Sequence, residues 1–500
     1  MSTIVQAPVR PVPVPTMGVL ALARFEARRL LRSIPVLVAF ALYLAWIVWH
    51  TRDSYDGFPA LQDADRDTQG PAVLVGLAVL LGAHQAVLRS WRRDTERHFA
   101  TLVIPPWRRT AAHVLSVVPA ALLTAAFVGV QFGWEALKAG AVGHGSPGEL
   151  LAGPLTVLLF GAGGVLLARL VKSAVVGPLL VVFLLFFLVL GVSPGGDEST
   201  RWLFPVAGES GTETLPSELL GRPAAWHALY LLGLGLTVGL LAVLVGGGRG
   251  IRTVRVALGG AVALALLGGY AQSGGTTADL TAARERATSD PAQDCAQRGR
   301  STYCAYPEWE PRTGAWAQVV DEVENLAGGT AHEQRLLVRQ RVEARYGLSA
   351  DGALAPLDAA HEVTVGTRWG GNRVPEFSAA VAAVLVAGSE QAGSELCDGR
   401  MVTVMWLALG WQSEPLDALR AVRLDDSLSG SAIVLSPTDP LSMSAAQTDV
   451  VRELLTRPRS EVTARVQEQW TELTAPGVTT ARAAQLLGVK GIEEKDGCEQ

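Results

Sequence analysis

Residues 173–192 read SAVVGPLLVVFLLFFLVLGV, without a single charged side chain. A hydrocarbon core of about 30 Å is crossed by about 20 apolar residues in helix. This run has that length, which a buried helix of a soluble protein does not need. Working outward from it, six further segments meet the same test or come close, giving seven predicted spans at 34–50, 71–88, 111–133, 150–170, 173–192, 226–245 and 254–270. The fourth and fifth are separated by little more than Arg169, Val171 and Lys172, which predicts a tight helical hairpin. Composition agrees. The chain of 500 residues is 49% hydrophobic and 18% charged, against about 25% charged in an ordinary soluble chain. Mean hydropathy is +0.28. These values exclude a disordered chain. A net charge of −5 leaves no global basic footprint for nucleic acid.

The loops between these segments alternate in charge. Arg24, Arg28, Arg29 and Arg32 precede the first span; Arg89, Arg92, Arg93, Arg97, Arg108 and Arg109 lie between the second and third. Arg169 and Lys172 follow the fourth span, and Arg249, Arg252 and Arg255 the sixth. The alternate loops are acidic, with Asp53, Asp56, Asp63, Asp65 and Asp67 after span one and Asp197, Glu198, Glu209, Glu213 and Glu218 after span five. Basic loops stay on the cytoplasmic side. The N-terminus is therefore expected in the cytoplasm, and residues 271–500 on the far side of the plasma membrane. Residues 1–18 are Pro-rich, lack the apolar core of a signal peptide, and are expected to form a disordered cytoplasmic tail.

All four cysteines, Cys295, Cys304, Cys397 and Cys498, lie in the C-terminal part. Disulfides persist in oxidising space outside the cytoplasm. Four cysteines allow three pairings; the short spacing favours Cys295–Cys304, which leaves Cys397–Cys498. A metal site is the competing reading, but neither a C-x-x-C nor a Cys/His cluster is present. After a linker at 271–294, residues 295–500 are expected to form a mainly helical, disulfide-containing domain. Helices are predicted at 313–326, 332–346, 377–396, 400–410, 445–455 and 460–473, with one strand near 362–367. His332-Glu333 and His361-Glu362 lack the second histidine of a zinc protease. His84, Gln85, His113 and Ser116 stand near span ends and are expected at the interface.

Residues 19–33 make an amphipathic stretch in which Arg24, Arg28 and Arg32 share one helix face. Such a helix lies at the membrane interface. The loop 89–109 carries two tryptophans, Trp91 and Trp107, and is broken by Pro105-Pro106 before Arg108-Arg109 leads into span three. An interfacial helix, then a Glu-containing charged segment, then Thr-Leu…Pro…Arg-Arg resembles the permease of the type-2 class of ABC exporters, in the actinobacterial form with an exterior C-terminal domain. The resemblance covers about residues 18–246. It implies a six-span bundle over 34–246 and a cytoplasmic loop that engages a separate ATPase. Glu96, Thr101, Leu102, Pro105, Arg108 and Arg109 fall on that pattern, and with Arg92, Arg93 and Arg97 of the same loop they are the expected ATPase-coupling residues. It also implies an exterior loop, 193–225, that partly re-enters the membrane.

None of the four lysines follows a glycine, so the chain has no P-loop and no ATPase of its own. ATP and Mg would belong to two copies of a partner ATPase. The expected function is a non-enzymatic permease, a homodimer or pseudo-dimer in membrane lipid, exporting a hydrophobic or amphipathic substrate. The alternative is a membrane-tethered extracytoplasmic binding or sensor protein.

Overall fold

The computed structural model describes residues 16–93, 104–191, 202–206, 214–289, 291–345 and 354–490. The first half is a helical bundle. Helix α1 (Thr16–Leu31) leads into α2 (Ile34–Asp53), then α3 (Leu61–Asp67), α4 (Gln69–Arg92), α5 (Pro106–Leu115), α6 (Val118–Ala136), α7 (Pro147–Leu170), α8 (Val176–Gly191), α9 (Ala224–Val243) and α10 (Arg252–Gln272). Six helical segments among the described residues are long and apolar enough to cross a membrane: Ile34–Gly57, Leu61–Arg92, Pro106–Ala136, Pro147–Leu170, Ala224–Gly248 and Arg252–Gln272. Helix α8, the centre of the uncharged run, has 16 residues and is shorter. Its Leu179, Val182, Phe183 and Phe186 are exposed, as are Leu37, Leu42 and Val48 on α2 and Leu266 on α10. A bundle apolar on its outside suits lipid.

Between apolar helices in lipid, small residues set the approach. Helices α4 and α7 form the central crossing, and α9 packs on α7 and α10. A Cβ built on Gly164 of α7 would stand 2.3 Å from the Leu80 carbonyl oxygen of α4. On α9 a Cβ at Gly233 would meet the backbone nitrogen of Ala265 at 2.4 Å. Backbone cannot step aside as a flexible side chain can, so these crossings need glycine.

The bundle has two chemically different ends. Arg89, Arg92 and Arg93 close α4 at one end, beside α1 and α5; Gly246, in the turn after α9, stands against Thr110 of α5 there. At the opposite end lie the aspartates of 53–67, the 137–146 turn and residues 214–223. The chain leaves α8 and is next described at 202–206, where Phe204 meets Phe187 with ring centroids 5.1 Å apart. Thr156 Oγ1 donates to the Pro205 carbonyl at 3.2 Å. Helix α10 returns to the acidic end and delivers the C-terminal domain there.

The predicted linker is not a loose tether. It contains helix α11 (Ala278–Ser289), and its buried Arg284 donates to the carbonyls of Leu219 and Leu220 at 2.8 and 3.0 Å. The domain that follows is helix-rich but built around a four-stranded mixed sheet in the order β1-β2-β3-β4. Strands β1 (Asp294–Arg298) and β2 (Ser301–Ala305) form an antiparallel hairpin turned by Gly299 at φ 59°. Helix α12 (Thr313–Leu326) then carries the chain to β3 (Leu337–Gln340), parallel to β2, and β4 (Glu362–Val365) lies parallel to β3. A second small sheet pairs β5 (Ala432–Val434) with β6 (Leu441–Met443). Helices α13 (Arg373–Ala387), α14 (Arg400–Leu409) and α15 (Ala445–Leu455) fill the centre with α12. Every residue of α13 from Pro375 to Val386 is buried. Trp309, Trp316 and Trp406 are fully buried around it.

The sequence prediction is corrected at 332–346, expected as a helix. From Leu336 to Ala344 burial alternates strictly, residue by residue, and β3 runs through the middle. The polar member of its inward face, Gln340, is buried because its Oε1 accepts from Tyr306 N at 3.0 Å. The strand near 362–367 is present as β4, and α12 and α15 match their predicted limits.

Two predictions test this packing. Gly164→Val forces a side chain into the Leu80 backbone and is expected to lower the thermal unfolding temperature in detergent sharply. Gly163→Ala, with nothing within 4 Å of its new Cβ, leaves it unchanged. Equal shifts would overturn the crossing. The second concerns Glu324, buried on α12, whose carboxyl is raised to about 7 by burial, opposed by Arg300 and aided by Asp321. A carboxyl raised on folding favours the protonated native state. Its penalty is absent well below pH 4.5, grows as pH rises, and is complete above about 7. Glu324→Gln is therefore expected to stabilise the protein at pH 8 and not at pH 4, as read by thermal melts.

Candidate functional site

The basic end holds the five predicted docking residues that are described, Arg92, Arg93, Pro105, Arg108 and Arg109. Helix α1 buries Ala23, Ala27 and Leu30 and exposes Arg24, Arg28 and Arg32, the division that their four-residue spacing imposes. Ser33 Oγ donates to the Leu30 carbonyl at 2.7 Å and stops the helix; Pro35 sits in the first turn of α2. α1 packs chiefly on α5. It also lies against α4, where a Cβ at Gly82 would stand 2.6 Å from Leu30 Cδ1. The buried carboxylate of Glu26 pairs with Arg89 at 3.3 Å, fastening α1 to α4.

Helix α4 ends at Arg92, with Arg93 as its cap. The chain is described again just before Pro105, which precedes α5, and Pro106 opens that helix. Proline suits the first helical position because its missing N–H has no partner to lose. The Arg108 guanidinium lies 5.2 Å from the Trp107 ring centroid. Arg92, Arg93, Pro105, Arg108 and Arg109 thus flank the loop at this end, beside α1. Glu96, Arg97, Thr101 and Leu102 lie outside the described residues. Among the polar residues expected at the interface, Gln85 is exposed, but His84 is completely buried, with Gly177 of α8 packed against its ring.

The acidic end is organised by arginines that the sequence did not single out. Arg312 is 3% exposed and points away from its own domain's surface into the bundle. Its Nη1 donates to the Thr367 carbonyl at 3.0 Å. Its Nη2 donates to the carbonyls of Phe58, Pro59 and Gly140 at 2.5, 3.2 and 3.4 Å. One guanidinium therefore joins the C-terminal domain, the loop after α2 and the turn after α6. Burial lowers it to about 10, so it stays charged at neutral pH. Arg222 donates to the Gln62 carbonyl at 2.5 Å, and its guanidinium lies 3.9 Å from Asp63 and 3.8 Å from Asp65. Asp63 also accepts from Thr214 Oγ1 at 2.7 Å, and Glu308 accepts from Ser217 N at 3.1 Å. Tyr55, Asp56 and Gly57 all have positive φ, which brings Asp56 against Gly370-Gly371; a Cβ at Gly371 would stand 2.2 Å from Asp56 Oδ2.

The described residues of the 193–225 loop take two different places. Leu215, Leu219 and Leu220 are buried in the core of the C-terminal domain, while Trp202 packs edge-on against His227 of α9. Cys295 and Cys304 face each other across the β1–β2 hairpin and are bonded. Cys397 is disulfide-bonded as well; Cys498 lies outside the described residues. Among the described residues no three His, Cys, Asp or Glu side chains are grouped to hold a metal. No protein-family model, characterised protein or solved structure matches the chain.

Arg312 is the testable centre of this end. Hydrogen bonds to a charged group are worth roughly 1.5–3 kcal/mol each. Arg312→Ala removes four and is expected to raise amide hydrogen exchange in the loop after α2 and the turn after α6. Arg312→Lys, compact and unable to span the carbonyls, should do nearly the same. Unchanged exchange in both loops would show that they are held by other contacts.

Proposed function

We propose that this chain is the permease subunit of an ABC exporter. It works as a homodimer or pseudo-dimer with two copies of a separate ATPase, moving a hydrophobic or amphipathic substrate out of a bacterial cell. The observation that carries this reading is the basic end. The amphipathic α1 lies directly against α5, and both flanks of the 94–103 segment, Arg92–Arg93 and Pro105–Arg109, emerge beside it. That arrangement offers a partner one cationic, partly aromatic surface mechanically continuous with α4 and α5. ATP and Mg would sit in the partner.

Topology supports the same reading. The chain enters α8 at the basic end and is next described at the acidic end, so α8 is read as the fifth of seven crossings. With the N-terminus cytoplasmic, the seventh crossing, α10, carries the C-terminal domain outside. Bonded cysteines there suit an oxidising compartment. The domain, held by Arg312 to the loops after α2 and α6, is read as a non-catalytic gating or recognition module over the outer mouth.

Copurification decides the central claim. The tagged full chain, extracted in mild detergent from its own host, is expected to bring down an ATPase in equal amount. Substituting Arg92, Arg93, Arg108 and Arg109 with Glu should release it. Recovery of the chain without an ATPase would overturn the permease reading.

A further inference from the structure

We propose that the cavity between α1 and the end of α4 is a binding site for the headgroup of an anionic phospholipid. The cavity encloses about 830 Å³, within the range of small-ligand pockets. Arg28 and Arg29 of α1, with Arg32 just after it, and Arg89 and Arg92 of α4, with its cap Arg93, line it together. Glu26 neutralises Arg89. Among the described residues the other five guanidiniums have no carboxylate within ion-pair distance. Among the described residues these five like charges around one hollow are uncompensated, and an anion placed between them removes the cost of their repulsion. The planar fork of arginine fits phosphate oxygens two at a time.

The apolar part of the wall selects a lipid over a free phosphate. Leu30, Ile34 and Pro35 border the cavity next to the arginines. From Ile34, itself 77% exposed, the outward side of α2 continues through exposed Leu37, Val38 and Leu42. A ligand with its phosphate among the arginines can therefore lay acyl chains along α2. Basic pockets beside membrane spans on the cytoplasmic side take anionic headgroups in this way. The site is walled by a helix lying on the membrane and one crossing it, so an occupying lipid would fix the angle between them. The inference needs only that α2 and α4 lie in a bilayer; it does not depend on the ATPase.

The test uses the full chain in nanodiscs of equimolar phosphatidylcholine and phosphatidylglycerol, with retained lipid counted by native mass spectrometry. Wild type is expected to keep phosphatidylglycerol preferentially. Each arginine near an anionic lipid is worth about fivefold in affinity, so Arg28→Gln with Arg32→Gln should cut the preference roughly 25-fold. The Arg28→Lys, Arg32→Lys pair should retain most of it, which separates lost charge from misfolding. Arg24→Gln removes a charge from the same helix outside the cavity and should change nothing. Excess inorganic phosphate should not displace the lipid. Three results would each sink the proposal: no preference in wild type, an equal loss from Arg24→Gln, or full displacement by phosphate. It would also be wrong if the same arginines proved necessary for holding a copurified protein and not the lipid.

Discussion

A guanidinium taken out of water costs several kcal/mol unless its charge and its donors are met. Arg312 offsets that cost through its two Nη groups, with no carboxylate at ion-pair distance among the described residues, while its Nε stays buried without a partner. The carbonyl oxygens of Phe58, Pro59, Gly140 and Thr367 converge on it, three of them from loops between bundle helices and one from the C-terminal domain. None of the contributing segments alone could satisfy it. The site exists only when the bundle loops and the domain are assembled together, which makes their docking cooperative. Nearby, Arg284 donates to the carbonyls of Leu219 and Leu220, and Arg222 combines the Gln62 carbonyl with the carboxylates of Asp63 and Asp65. The acidic end is thereby one polar unit, and the helix at 278–289 is part of its framework and not a tether.

This concentration of polar interactions answers a need that the spans create. Gly164 against Leu80 and Gly233 against Ala265 fix the distance between helices. Polar side-chain pairs add to this near the acidic end of the same crossings, Gln69 with Glu149 between α4 and α7 and His227 with Gln272 at 3.1 Å between α9 and α10. Register along the membrane normal is set where the chain leaves the lipid. There Leu61 N and Val142 N exchange hydrogen bonds with Val142 O and Pro59 O at 2.9 and 3.0 Å, tying two loops in a short parallel bridge.

What could be read from the sequence follows the range of each interaction. Spans, loop charge and the amphipathic α1 depend on local periodicity, and the long apolar helices stand where the runs predicted. The Cys295–Cys304 bond was legible because a nine-residue separation suits a hairpin. The hairpin itself was missed, as were β3, β5 and β6. These strands are three to five residues long, and in β3 the buried face includes Gln340, which hides the period of two. Arg312 was invisible for a deeper reason. Its partners are backbone carbonyls far away in the chain, and a carbonyl has no letter in the sequence. The one local hint was Gly370-Gly371, whose missing side chains admit Asp56.

The two ends also differ in how they can move. At the acidic end, displacing one loop strips acceptors from a buried guanidinium, which ties the loops after α2 and α6 to the domain. At the basic end the turn after α9 passes through Gly246, Gly247 and Gly248, with Gly247 at φ 105° and a π-type turn in place of regular helix. Glycine there costs little to reorient. α5 and α6 are likewise separate helices broken around Ser116 and Pro119, and α1 meets α2 at the single residue pair Arg32-Ser33. A change of angle between helices is least costly at the basic end, where glycines and helix breaks leave the backbone free. A partner pulling on Arg92–Arg93 and Pro105–Arg109 would thus work on the jointed end of a bundle whose opposite end is tied to the C-terminal domain through Arg312.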